Sequence, residues 1–411
     1  MSRTRHLVVI GGGAAGFFCA VNAARLDPQL RVTIVEKASR VLQKVKVSGG
    51  GRCNVTHHCF SIPDMARRYP RGEQFVKRAF RHFFVPDTIE WFASRGVALK
   101  HEADGRMFPV TDSSQTIIDC LLQEANRYGV EVLMNFSVAE LTKQAPGWHL
   151  QAADGRQLQA DLLCVACGGF PKAEQFDWLV KATGHSIVAP VPSLFTFNLP
   201  GHPITQLMGV ATPVRIRLAG TKWEAEGPCL ITHWGLSGPA VLRLSAFGAR
   251  HLAEAGYRYS VLINWLPNEN ETGLREQFVR HRHLKATQKI GNTDGIALPQ
   301  RLWHFLLLAA GLQPDMRWAD VPAAGQNKLA KCLCSYEVEA AGKTTFKDEF
   351  VTAGGVDTAE VDVAGMQSRL HLNLFFAGEI LNVDGITGGF NFQHAWNSGF
   401  VAASAIANAR S

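Results

Sequence analysis

The chain of 411 residues contains no run of about 18 uninterrupted apolar residues, so no transmembrane helix and no membrane partner are expected. Its longest apolar candidate, residues 303–312, is too short and carries His304. An arginine-flanked apolar stretch at the N-terminus has the look of a secretory leader, but Gly11, Gly12, Gly13 and Gly16 break it. A disulfide framework is also missing: the nine cysteines are odd in number and scattered, which points to a reducing compartment, the cytoplasm. Cys164 and Cys167 form a CxxC inside an apolar run, and Cys332 and Cys334 lie one residue apart. Neither has a second pair at zinc spacing, so no metal site is expected.

Charge is sparse as well. Charged residues make up 19%, below the roughly 25% of an average soluble chain, while 46% are hydrophobic, so the chain is not disordered. The net charge, 42 − 35 = +7, is mild. The most basic stretch, residues 275–289, has no interleaved aromatic except Phe278 and reads as an exposed helix face rather than a stacking platform. Nothing here calls for nucleic acid as the main partner, and the oligomeric state is left open. Internal repeats, low-complexity tracts and a second GxGxxG are all absent.

Glycine, by contrast, is plentiful: 38 residues, about 9% against a usual share of ~7%. Gly11, Gly13 and Gly16 form a GxGxxG between an apolar strand, His6–Ile10, and a helix of small residues, Ala14–Leu26. One such glycine makes the turn, one lets the backbone approach a pyrophosphate, and one lets helix and strand pack. The helix N-terminus adds free N–H donors. Twenty residues past Gly16, after the strand Arg31–Val35, stands Glu36, placed to accept from a ribose hydroxyl. The unit reads as a dinucleotide site.

Three further regions extend it. Residues 40–56 form a glycine-rich loop with Gly49, Gly50 and Gly51 in line. The apolar run 162–166 ends in Gly168 and Gly169, at the carboxyl end of a parallel strand, where a dinucleotide lies. Near the C-terminus an apolar strand from Leu374 leads through Gly378, Glu379, Asp384, Gly385, Gly388 and Gly389 into a long helix. That order suits a flavin dinucleotide, with the helix N-terminus stabilising the negative charge of a reduced flavin. Elsewhere, residues 73–96 carry helical periodicity broken at Pro86, and residues 135–160 form a meander with turns at 145–147 and 154–155.

The sequence resembles the BaiN/RdsA-like family of NAD(P)/FAD-dependent oxidoreductases, a branch of the glutathione-reductase-type FAD fold. The likeness covers nearly the whole chain. It rests on GGGAAG at 11–16, SGGGRCNVT at 48–56, DGRMFP at 104–109, CGG at 167–169, THWGLSGPAVLRLS at 232–245, TAGGV at 352–356 and FAGEILNVDGITGGFNFQ at 376–393. It implies an α/β architecture: a Rossmann-like FAD-binding domain of residues 1–190 and 350–411, an inserted β-barrel-like domain of 191–268 and 334–349, and a helical cap of 269–333. It also implies FAD contacts at Gly11, Gly13, Ala14, Ala15 and Gly16, with Glu36 on the ribose and Lys37 and Lys44 close by. Gly51, Arg52 and Asn54 fall on the flavin side, and the backbone of Val138 on the adenine. Gly168, Gly169, Gly378, Glu379, Asp384, Gly388, Gly389, Asn391 and Phe392 complete the set. His394 departs from the aromatic or aliphatic residue of the relatives.

Catalytic candidates are His233, before a Ser-Gly-Pro helix start, Cys53, beside Arg52 and near Lys46, and His394. Each has a plain packing alternative. Arg106 would bind an anionic substrate or pair with a nearby acid. The expected activity is oxidation or reduction of a small organic substrate, with NADH or NADPH as a diffusing donor. Two other readings stay open: a flavin-dependent RNA-modifying enzyme, prompted by the +7 charge, and a non-catalytic flavin-binding redox sensor or scaffold.

Overall fold

A computed structural model describes residues 4–145, 147–292, 296–345 and 351–409. The expected turn residue Pro146 lies outside them. The chain forms two compact units, residues 1–193 with 347–411 and residues 194–346.

The first unit is built on a seven-stranded sheet. Its parallel core contains β1 (His6–Ile10), β2 (Arg31–Val35), β3 (Glu131–Leu133), β4 (Leu162–Val165) and β5 (Leu374–Phe376). The spatial order is β5-β4-β1-β2-β3, with two short antiparallel strands, Gln367–Ser368 and Val361–Asp362, beyond β5. Val9 of β1 pairs with Cys164 on one side and Ile34 on the other. These strands are apolar throughout because both faces are covered: every residue of β4 and four of five in β1 and β2 are buried. Two helices pack closely on this sheet, α1 (Ala14–Leu26) and α2 (Phe390–Asn408). A Cβ on Gly399 would lie 2.8 Å from the Ala15 carbonyl, so only glycine lets the helices approach this far.

Sequence expectation and structure differ in two places here. Pro86 does not break a helix but starts one, Val85–Ala93, in a first turn where its missing N–H costs nothing. The preceding helix, Glu73–Ala79, has already ended. The glycine-rich loop also contains a helical stretch, Gln43–Gly51, kinked at Ser48, Gly49 and Gly50.

The second unit holds a seven-stranded antiparallel sheet in the order Tyr336–Ala341, Arg258–Asn264, Ala211–Leu218, Glu224–Ile231, Gly235–Ser237, Thr196–Asn198, Lys343–Thr344. Its two edge strands are separated in sequence by Gly342 alone, at φ 99°. The sheet therefore curls towards closure, giving a barrel-like form. Helices Glu271–Leu284, Gln300–Ala309 and Ala323–Cys334 share one buried core with it, through residues such as Phe278, Trp303, Leu333 and Ile263. No helix among the described residues is long and apolar enough to cross a membrane, and no cluster of His, Cys, Asp and Glu among them is arranged to hold a metal ion.

Candidate active site

The turn between β1 and α1 uses its glycines in different ways. Gly11 has φ 114°, and a Cβ there would meet the Ala166 carbonyl at 2.4 Å. A Cβ on Gly16 would lie 1.9 Å from the Gly11 carbonyl. Both are packing glycines. Gly13 is different: a Cβ there meets no protein atom within 4 Å, and the residue N-caps α1 without a side-chain cap. Bare backbone and uncapped N–H groups thus face open space, with Ala14 half-exposed and Ala15 buried beside Gly378. Glu36 is locked in place. Its Oε2 accepts the Gly12 N–H and its Oε1 the Ala38 N–H, both at 2.8 Å.

Past β4, Gly168 has φ 77° with nothing within 4 Å of a would-be Cβ, while Gly169 packs on Thr352. Glu379 accepts the Thr352 N–H at 2.9 Å and the Lys44 ammonium at 2.8 Å, tying the Gln43–Gly51 segment to the C-terminal turn. Lys37 sits 5.6 Å from the Phe170 ring centre. Val138 begins the meander strand Val138–Gln144 and pairs with Ala152. Gly50 and Gly51 take positive φ with no protein atom within 4 Å of a would-be Cβ. Gly13, Gly50, Gly51 and Gly168 all offer bare backbone to open space, so the residues present fit a dinucleotide that must approach the backbone closely.

Several candidate side chains are otherwise engaged. Arg52 does not reach out freely: it bonds Glu102 at 2.6 Å, lies 3.7 Å from Asp112 and stacks 4.0 Å from the Phe108 ring centre. Arg106 pairs with Glu102 and Asp104, the acid-pairing alternative. For Cys53 the surroundings fit the packing alternative. Cys53 is fully buried, and burial pushes its thiol up to about 12, the reverse of what a reactive thiolate needs. Asn54 is turned inward, accepting the Gly389 N–H at 2.9 Å on its amide oxygen.

Asp384 is the clearest correction. It is fully buried, and both carboxylate oxygens are taken by protein donors. Arg71 Nε donates to Oδ1 at 2.6 Å, Arg71 Nη2 donates to Oδ2, and Ser193 Oγ donates to Oδ2 at 2.9 Å. A carboxylate so enclosed holds a turn rather than a cofactor hydroxyl. Asn391 does likewise: its amide exchanges two hydrogen bonds with the backbone of Gly385, at 2.8 and 2.9 Å. Phe392 stacks on Trp396, ring centres 5.7 Å apart. Gly388 and Gly389 take positive φ, and Gly389 N-caps α2 without a side-chain cap. Sequence reasoning missed Arg71, Ser193, Tyr69 and Gln393. Tyr69 donates to the Phe390 carbonyl at 2.6 Å, and Gln393 accepts from Thr56 and Thr88 at 2.6 and 3.0 Å. No local signal marks them, because each partner lies far along the chain.

His394 is 2% exposed, with Nε2 3.3 Å from the Gly378 carbonyl and Nδ1 buried without a partner. Burial lowers its pKa to about 4, so the imidazole is neutral in the fold. An unfolded chain takes up this proton near pH 6.5. Stability is therefore expected to fall as pH drops below about 6.5, by about 3 kcal/mol once pH passes about 4. Denaturant titrations of wild type and His394→Phe between those pH values check this. Equal pH slopes in the two proteins would refute it. His233 is carried by the second unit, exposed, with its ring 3.6 Å from that of Trp234.

Several known proteins resemble this chain. A protein of Clostridium scindens named 3-dehydro-bile acid delta(4,6)-reductase is 30% identical over 97% of this chain and 98% of its own. An Escherichia coli K12 protein named ribosomal RNA dihydrouridine synthase is 32% identical over 98% of each chain. Among solved structures, the fold is similar to a 3-ketosteroid-delta4-(5alpha)-dehydrogenase from Rhodococcus jostii RHA1, with TM-score 0.51, 12% identity and 97% of each chain covered. It is similar also to a 3-ketosteroid delta1-dehydrogenase from Sterolibacterium denitrificans, with TM-score 0.51, 12% identity, and 98% of this chain and 100% of the other covered. Residues 5–405 match the family described as HI0933-like protein Rossmann domain. The chain belongs to this HI0933-like Rossmann family and is an FAD-dependent oxidoreductase.

Proposed function

We propose that the protein reduces a C=C bond conjugated to a carbonyl in a small organic substrate, with NADH or NADPH as a diffusing electron donor. The observation that carries the FAD part of this reading is the open space over the backbone at Gly13, Gly50, Gly51 and Gly168, together with the uncapped N-terminus of α2. Gly13 and the first turn of α1 would hold the pyrophosphate, and Glu36 would orient the ribose. Bound FAD would supply hydride transfer. The N-terminus of α2 would stabilise the negative charge of the reduced ring. Reduction adds a hydride to the carbon β to the carbonyl and a proton to the α carbon. The proton would come from water. The relatives' names support this bond type. A delta(4,6)-reductase of a 3-dehydro-bile acid and a dihydrouridine synthase both act on a C=C conjugated to a carbonyl.

The second name favours one alternative, that the conjugated bond belongs to uridine within RNA. One experiment addresses both. The yellow protein is mixed anaerobically with NADH or NADPH, then with a steroid dienone or with uridine-containing RNA. Bleaching by a nicotinamide and reoxidation by the dienone is the expected result. Reoxidation by RNA, together with salt-dependent RNA retention, would transfer the activity to the nucleic acid. Failure of both nicotinamides to bleach the flavin would overturn the donor assignment and favour a redox sensor.

A further inference from the structure

The turn before α2 is gripped by one short segment, residues 68–72. A Cβ on Gly72 would lie 2.6 Å from the Val383 side chain, so the Gly72 backbone packs directly on it. The Arg68 carbonyl accepts the Ile386 N–H at 2.9 Å, and Tyr69 holds the Phe390 carbonyl. Arg71 makes its fork onto Asp384. Ser193, which ends the first of the two segments that make up the first unit, donates to the same carboxylate and accepts from Arg71 Nη2 at 3.2 Å. Arg71 is 11% exposed and Asp384 not at all.

Stability alone does not explain such a group. Well-packed apolar side chains of similar volume hold a fold as well as a buried ion pair does. What the fork adds is direction: two N–H···O bonds from a planar guanidinium set the plane of the carboxylate and hence the turn that carries it. That turn ends at Gly389, the uncapped start of α2.

We infer that Arg71, Asp384 and Ser193 are positioning residues for the redox centre, holding the 383–389 turn so that the N-terminus of α2 stays aligned with the charge that develops on reduction. This rests on the FAD reading above. The helix field falls off within its first turn, so a small tilt of the turn weakens its effect on a reduced ring.

The test is the flavin midpoint potential of the purified holoprotein, measured against a reference dye. Arg71→Lys and Asp384→Glu keep the net charge, but lysine cannot make the fork and glutamate sets it one methylene further from the turn. Each is expected to disfavour the reduced state at least tenfold, about 30 mV for a two-electron couple. Ser193→Ala, which removes one donor, is expected to shift the potential in the same direction by a smaller amount. Full FAD content with potentials within twofold of wild type in all three variants would overturn the inference while leaving the FAD reading intact. Wild-type protein that takes up no FAD would overturn that reading and the inference with it. If the first two variants fail to fold, Ser193→Ala decides alone: an unchanged potential refutes the inference and a lowered one supports it.

Discussion

A Gly13→Val protein is expected to fold normally and to purify without its yellow colour. Gly13 has φ −94° and ψ −171°, an extended conformation that valine accepts. No protein atom lies within 4 Å of its would-be Cβ, so the fold has nothing to rearrange. The new side chain instead fills the space over the uncapped start of α1, where the pyrophosphate would bind. FAD affinity should fall at least a hundredfold, about 3 kcal/mol. Gly16→Val provides the contrast. Its Cβ would fall 1.9 Å from the Gly11 carbonyl, so that variant should fail to fold. Visible absorbance reports the cofactor, and circular dichroism the fold. A folded Gly13→Val protein with wild-type FAD content would refute the cradle assignment.

Arg71→Met should be among the most destabilising single changes in the first unit. It removes one partner of a buried pair and leaves Asp384 charged and enclosed, a loss of about 3–5 kcal/mol. Adding Asp384→Asn removes the stranded charge, so the double variant should recover more than half of that loss. Urea unfolding at neutral pH, followed by circular dichroism and by tryptophan fluorescence, measures both. A single-variant cost below about 1 kcal/mol would show that water reaches the carboxylate and that the site is not closed.

What was readable in the sequence is local. The strand–turn–helix at residues 6–26 needs an apolar run, glycines at fixed offsets and small residues beyond, all within one short window. The buried parallel strands declare themselves because both faces are apolar. Either Asp112 or Ser113 is readable as the cap of the helix that follows, and it is the Ser113 side chain that accepts the Gln115 N–H. Misreadings arise where the meaning of a residue depends on a distant partner. Asp384 lies among glycines, which suits an acid facing a cofactor. Its partner Arg71 is 313 residues away, and no spacing rule connects them. Cys53 stands beside an arginine in sequence, but that guanidinium turns to Glu102 while the thiol is buried. Adjacency along the chain says little about electrostatic contact once the backbone turns at positive φ, as it does at Cys53.

By itself, then, the sequence determined the secondary elements around the first glycine turn and the kind of ligand that turn admits, because strand periodicity, glycine conformations and helix N-termini are short-range properties of the backbone. Only the tertiary structure decided which acids remain available. Burial and pairing set the state of a charged side chain, and both depend on which distant segments the fold brings together.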